Sequence, residues 1–382
     1  MAKSTVNAPP TAADVIQFVD RDLDLFEGIN DGEEHHLAGG ESLPPIEPLT
    51  KAWDVAYIRF SVPDLDLYER WVTDFGLKII YKDDQVIYSR GLQGDGFCHV
   101  AHKGPAKFLG FAMMMRDEKD LRVLQENIEG CSTVHKIPGI EGKLCGGSRV
   151  SFIDPVCNLL IEAVHGRSID ELPPTRDRVE YNYGSKENYR RPANKLQDTS
   201  GNRAADGSNT VHPGPPDVLK IGHVVLSIPV GPHHKMMAFM METFGLLPSD
   251  SAYFESPKST EGHSVNPGMF DMLQKAGPSP IYPGTFAEGE ATYACFFRCD
   301  RGEVPTDHHT FFILSLMDKK QAPVGGDINP QLSHVSFEVS NLDDVWRGHM
   351  QLKTKAEFKD ERYEIAWGVG RHVLGSHIYD YW

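Results

Sequence analysis

The sequence has no apolar run long enough to cross a bilayer; its longest, such as residues 108–115, are the length of a strand. The opening Met1-Ala2-Lys3-Ser4-Thr5 leads into polar, proline-containing sequence with no apolar segment of the kind a secretory signal needs. Basic residues are in the minority, 38 Lys and Arg against 54 Asp and Glu, for a formal net charge of -16. No long basic run offsets this locally, which argues against a nucleic-acid partner, since an acidic chain repels a phosphate backbone. Cysteine is sparse. The closest of the six, Cys295 and Cys299, are wrongly spaced for a zinc knuckle, and strand alternation puts both on one face. Buried free thiols in a reducing compartment are the expectation, and with them a cytoplasmic location and no membrane association.

What remains is ordinary globular composition, 40% hydrophobic and 24% charged, in 382 residues. That length suits two domains with extra segments. An internal repeat gives the organisation. Ala56-Tyr57-Ile58-Arg59-Phe60-Ser61-Val62 is followed by a helical stretch and Phe75-Gly76-Leu77; Gly222-His223-Val224-Val225-Leu226-Ser227-Ile228 is followed by a helical stretch and Phe244-Gly245-Leu246. Tyr57 in the first copy stands against His223 in the second, so the first copy is expected to be structural and the second to hold a metal.

Residues 1–52 form an acidic, proline-containing arm with a short amphipathic helix expected over 14–28. Residues 53–165 form a first domain. A strand over 55–62, a helix starting behind Asp64 as N-cap, and strands over 85–89, 97–101 and 108–114 make one βαβββ module. A helix over 118–128 and strands near 147–153 and 159–164 belong to the next. Residues 166–217, rich in Pro, Gly, Asn and Ser, form a linker or excursion. Residues 218–382 form a second domain. It has a strand from Lys220, a helix over 235–244, a loop insertion over 256–283, strands over 291–297 and 310–316, a strand over 332–339, a helix over 342–350 and a last hairpin. The fold class is therefore α+β: four βαβββ modules in two pairs, each pair a curved open β-barrel with a central cavity. Met236, Met237, Phe239 and Met240 are accounted for by core packing at least as well as by a ligand.

His223 lies early in an otherwise apolar strand, and His334 holds the same place in the first strand of the fourth module. Two repeated strands that present imidazole at the same register converge on one point, and neutral imidazole is a good ligand for iron. His308 and His309 follow Thr306 and Asp307, and by themselves suit a solvated turn. His372 by itself suits a loop position after two glycines, and Tyr381 the core of the terminal strand.

Together these residues carry a resemblance to the two-domain extradiol ring-cleavage dioxygenases of the vicinal oxygen chelate superfamily, which includes the glyoxalases. The carrying motifs are Gly222-His223-Val224-Val225-Leu226, Asp307-His308-His309-Thr310-Phe311-Phe312, Leu332-Ser333-His334-Val335-Ser336-Phe337-Glu338-Val339 and Trp367-Gly368-Val369-Gly370-Arg371-His372. The resemblance is loose over 53–165 and close over 218–382. It implies a non-haem Fe(II) dioxygenase, with Mn(II) as the alternative metal, that opens the ring of a substituted catechol with O2. It implies His223 and His334 as metal ligands and His309 as the histidine that assists proton transfer. His372 would hydrogen-bond the catecholate, and Tyr381 would lie beside the substrate hydroxyl. The chemistry agrees in kind: a catechol must lose protons to chelate a metal, and the charge that develops needs donors nearby. Oligomeric state stays open, a homo-oligomer included.

One feature departs from the family. Its third ligand, a glutamate after an Asp-Pro turn, is expected about ten residues past Tyr381, beyond Trp382. Asp154-Pro155 to Glu162 is the corresponding turn of the histidine-free first half, and Glu338 lies further along His334's own strand, a poor substitute. The end of the chain within an aromatic strand points to truncation; the alternative is a chain that binds metal weakly or not at all. A glyoxalase-like metal-dependent isomerase and a non-catalytic small-molecule-binding protein on the same fold are the competing expectations.

Overall fold

The computed structural model describes residues 47–93, 96–168, 214–229, 232–255, 290–316, 331–358 and 363–382. The helix expected over 14–28 and the loop expected over 256–283 lie outside the described residues.

In chain order the elements are β1 (Ala52–Val62), α1 (Leu65–Phe75), β2 (Lys78–Lys82), β3 (Val86–Arg90), β4 (His99–Lys103), β5 (Lys107–Met115), α2 (Glu118–Asn127), β6 (His135–Lys136), α3 (Gly139–Cys145), β7 (Ser148–Ile153) and β8 (Leu160–His165). They continue as β9 (Val218–Pro229), α4 (Pro232–Phe244), β10 (Leu246–Glu255), β11 (Glu290–Cys299), β12 (Phe311–Leu316), β13 (Gln331–Val339), α5 (Leu342–Phe358), β14 (Gly368–Arg371) and β15 (Ile378–Tyr381). The fold is α+β. β1 to β4 and β9 to β12 each follow the βαβββ order. The module from β5 to β8 adds the short β6 and α3, and the module from β13 ends in a hairpin. The sheets are open rather than closed into barrels.

The chain divides into two compact units, one of Met1–Arg59, Phe108–Ser168 and Ile221–Ser336, the other of Phe60–Lys107, Ile169–Lys220 and Phe337–Trp382. In the first, strands run β1-β5-β8-β7-β6 in one sheet and β10-β11-β12-β9-β13 in another. β5 pairs with β8, and β12 with β9, in parallel. Parallel strands covered on both faces are apolar throughout rather than alternating, which is why Val224, Val225, Leu226 and Ile228 are all buried. Phe111 meets Phe311 with ring centroids 5.1 Å apart, and Phe152 stacks on Phe244. Each buried aromatic of this kind contributes on the order of 1.5–3 kcal/mol. Met236, Met237 and Met240 of α4 are fully buried members of this core.

In the second unit, β2-β3-β4 form an antiparallel meander. Asp64 caps α1, its carboxylate accepting from the backbone N–H groups of Asp66 and Leu67 at 3.0 and 2.9 Å. Gly76 ends the helix at φ +106, where a Cβ would stand 2.5 Å from the carbonyl oxygen of Pro216. The buried Asp74 of α1 accepts from Tyr363 at 2.9 Å and pairs with Lys355 of α5 at 3.1 Å. His99 sits in an aromatic box of Phe60, Tyr68, Trp71 and Phe337 and is hydrogen-bonded through Nδ1 to the Tyr68 hydroxyl. All six cysteines are free thiols, and Cys295 and Cys299 are both buried. Among the described residues no helix is long and apolar enough to cross a membrane.

Candidate metal centre

The parallel pairing of β9 with β12 builds the centre. Val224 opposes Phe311, and the Val224 N–H donates to the carbonyl of Thr310 at 3.2 Å. The residue before Val224 is therefore held beside the turn that precedes β12. The Thr310 N–H donates to the Phe297 carbonyl at 2.7 Å, which ties that turn to β11. The rings of His223 and His309 lie 4.2 Å apart, tilted by 39°. β13 lies on the other side of β9 and brings His334 in, its Nε2 3.3 Å from the Nε2 of His223. Metal–imidazole bonds of about 2.1 Å put two nitrogens that share one ion about 3 to 3.4 Å apart. The two histidines thus fit two places of one metal site. Among the described residues no group of three or more His, Cys, Asp or Glu side chains is arranged to hold a metal ion. Glu338 is paired with Lys220 at 3.3 Å.

His309 is only 5% exposed, so it is not the solvated turn that its flanking residues suggest. Its Nδ1 lies 3.0 Å from Nδ1 of His308, whose Nε2 lies 2.5 Å from Oδ2 of Asp250. Phe296, opposite Phe312 in the β11–β12 register and stacked on it at 4.1 Å, lies against both rings, 5.6 Å from His308 and 5.0 Å from His309. Sequence reasoning missed Asp250 altogether and gave His308 no function. The adjacency of two histidines was the one available signal.

The corresponding place in the first copy is filled differently. Where β9 has His223, β1 has Tyr57, and Arg59 two residues on donates through Nε to Glu162 at 2.5 Å and through Nη1 to Glu141 at 2.7 Å. Arg149 donates to Glu141 at 2.6 Å and pairs with Glu162 at 3.0 Å. The guanidinium groups of Arg59 and Arg167 lie 4.8 and 5.0 Å from the centre of the Tyr57 ring. Burial opposes the Arg59 charge, but Tyr57, Glu162 and Glu141 hold its pKa well above the ordinary value. Burial, then the Glu162 carboxylate, pushes the Tyr57 phenol up to about 12. In the first copy the Arg59 guanidinium is thus held between two carboxylates and beside the Tyr57 ring.

In the second unit, β14 and β15 pair with Gly368 opposite Tyr381 and Gly370 opposite Tyr379. The His372 N–H donates to the His377 carbonyl at 2.9 Å and closes the turn. Nε2 of His372 and the Tyr381 hydroxyl are hydrogen-bonded at 3.1 Å, and Trp367 packs on Tyr381 at 4.9 Å. Burial, then His377, lowers the His372 pKa; burial, then Tyr379, raises the Tyr381 phenol to about 12. Both groups are therefore held neutral near pH 7, as a hydrogen-bond pair rather than an ion pair. Of the site residues expected from sequence, His223, His309 and His334 meet in the first unit, and His372 and Tyr381 meet in the second.

No family model matches the sequence, and no curated protein does. Solved structures share its fold. A Mn(II)-bound glyoxalase from Novosphingobium aromaticivorans aligns with TM-score 0.54 and 19% identity over 87% of this chain and 78% of that one. Homoprotocatechuate 2,3-dioxygenase from Brevibacterium fuscum, in an anaerobic complex with 3,4-dihydroxyphenylacetate, aligns with TM-score 0.52 and 16% identity over 88% and 78%. The enzyme of that name from Arthrobacter globiformis aligns with TM-score 0.52 and 14% identity over 88% and 76%. At these identities the likeness is one of fold: the chain shares the α+β architecture of these solved structures.

Proposed function

We propose that this chain is a divalent-metal-dependent extradiol dioxygenase acting on a small substituted catechol, with residues 53–165 as its metal-free domain and 218–382 as its metal domain. The observation that carries the proposal is the 3.3 Å approach of His223 and His334 Nε2 with the His309 ring 4.2 Å from His223. His223 and His334 would hold Fe(II), or Mn(II). Bound there, the metal supplies Lewis acidity toward the diol oxygens and the redox chemistry that activates O2.

The remaining chemistry belongs to side chains. His309, buried beside the ligand pair, takes a proton from a diol hydroxyl and returns one later, a task for imidazole near neutral pH. Phe296 and Phe312 line its surroundings with apolar surface, which excludes water and suits an aromatic ring. The resemblance implies hydrogen bonds to the catecholate from His372 and Tyr381, and their neutrality near pH 7 suits donors to an anion.

A glyoxalase-like isomerase is the second reading, favoured by the fold shared with the Mn(II)-bound glyoxalase. It has no need of the His309, His372 and Tyr381 set. A non-catalytic binding protein is the third, favoured by the lack, among the described residues, of a three-membered ligand group. The test loads the chain anaerobically with Fe(II) or Mn(II), removes excess metal, and follows O2 uptake with catechol, 2,3-dihydroxybiphenyl and 3,4-dihydroxyphenylacetate. Metal retention with diol-dependent O2 uptake is the expected result. Retention without uptake favours the isomerase, and no retention favours the binding protein.

A further inference from the structure

We infer that Asp250 and His308 decide which ring nitrogen of His309 carries the proton, so that they are positioning residues for the histidine beside the His223–His334 pair. The catalytic meaning of this assignment rests on the function proposed above; the proton assignment itself does not.

The chain of contacts fixes the protons one after another. Asp250 lies in β10, just after an irregularity in the β10–β11 register between Pro248 and Asp250, and opposite Phe296. In this contact the carboxylate oxygen accepts, so the His308 nitrogen 2.5 Å away, Nε2, carries the hydrogen. Both side chains are 19% exposed, sheltered enough for this charge-assisted bond to hold the ring in one orientation. A doubly protonated His308 would donate from Nδ1 and reverse the assignment; with one proton on His308, held on Nε2, its Nδ1 has a lone pair. That lone pair faces Nδ1 of His309 at 3.0 Å, and one of the two facing nitrogens must donate. The donor is therefore Nδ1–H of His309. A neutral imidazole with its proton on Nδ1 keeps its lone pair on Nε2. Phe296 packs on both rings and opposes the rotations that would exchange their nitrogens.

The result is a carboxylate–imidazole–imidazole line that presents a basic Nε2 on His309. A carboxylate sets the tautomer of a catalytic histidine directly in hydrolytic triads, and of ligand histidines in many metal sites. Here one histidine is interposed, and the sequence supplies it as the immediate neighbour of the one it orients.

The test is the ¹⁵N imidazole spectrum of the full, metal-free chain, with the His309 signals identified by their loss in His309→Gln. The expected wild-type pattern is a protonated Nδ1 and an unprotonated Nε2. In Asp250→Asn the amide can donate to His308 Nε2, which reverses the line and moves the His309 proton to Nε2. In His308→Asn the side-chain oxygen still accepts near the old Nδ1 position, so the wild-type pattern persists. His309 protonated on Nε2 in the wild type, or a pattern unchanged in Asp250→Asn, overturns the inference. In turnover, Asp250→Asn and His308→Leu should lower kcat by about a hundredfold with KM and metal content unchanged. His308→Asn should recover about tenfold of that loss, as expected for a restored acceptor. Equal kcat in His308→Asn and His308→Leu would mark a packing role and overturn it. A wild-type chain with the expected tautomer but no ring cleavage would overturn the dioxygenase reading and leave the proton assignment standing.

Discussion

At the residue scale, the proposed function gives the three histidines of the first unit separable duties. His223 and His334 meet nitrogen to nitrogen, whereas His309 meets His223 ring to ring, with its Nδ1 turned toward His308. His309→Ala should therefore keep the metal and lower kcat by about a hundredfold or more; metal analysis beside O2 uptake checks both halves. Loss of metal in that variant would make His309 a ligand instead. The histidines were legible in the sequence because the repeat puts His223 and His334 at matching strand positions. Asp250 was not. It lies 58 positions from His308, and nothing in local pattern joins them until β10 folds beside β11.

At the element scale, strands and helices with a clean pattern and a capping residue were readable, and irregular ones were not. α1 begins where Asp64 predicts it. Asp64→Ala should lower unfolding free energy by about 1 kcal/mol in urea denaturation without altering metal content. β10 went unread because Leu246–Glu255 contains a proline, an aspartate and two serines, turn residues that this strand accommodates with two register irregularities. α5 runs to Phe358, eight residues past the expected end, because Lys353, Lys355, Ala356 and Glu357 are good helix formers and Leu352 is buried beyond Met350. The first-copy network is also an element-scale device, since it joins β1, α3, β7 and β8. Arg59→Met leaves buried carboxylates undercompensated and should cost about 3 kcal/mol in denaturant unfolding, with metal binding intact.

At the scale of the whole molecule, the α+β class and the modular order followed from the repeat, while the open sheets and the makeup of each unit depend on contacts between distant segments that no local pattern records. Global stability carries one further consequence. His99 is buried in its aromatic box, and burial lowers its pKa from 6.5 to about 3. The unfolded chain then binds a proton that the folded chain refuses. The stability associated with a neutral His99 is complete above about pH 6.5 and is lost as pH falls toward 3, at up to about 1.4 kcal/mol per unit. Urea unfolding at pH 7.5 and 5.5 should show a larger acid loss in the wild type than in His99→Gln; equal losses would mean that His99 is protonated in the folded state.

The central claim is that His223 and His334 share one metal ion, and the most direct measurement is Fe(II) bound per chain after anaerobic loading, for the wild type, His223→Ala and His334→Ala. One ion per chain in the wild type and none in either variant is the predicted result. An ion retained in both variants would contradict the claim.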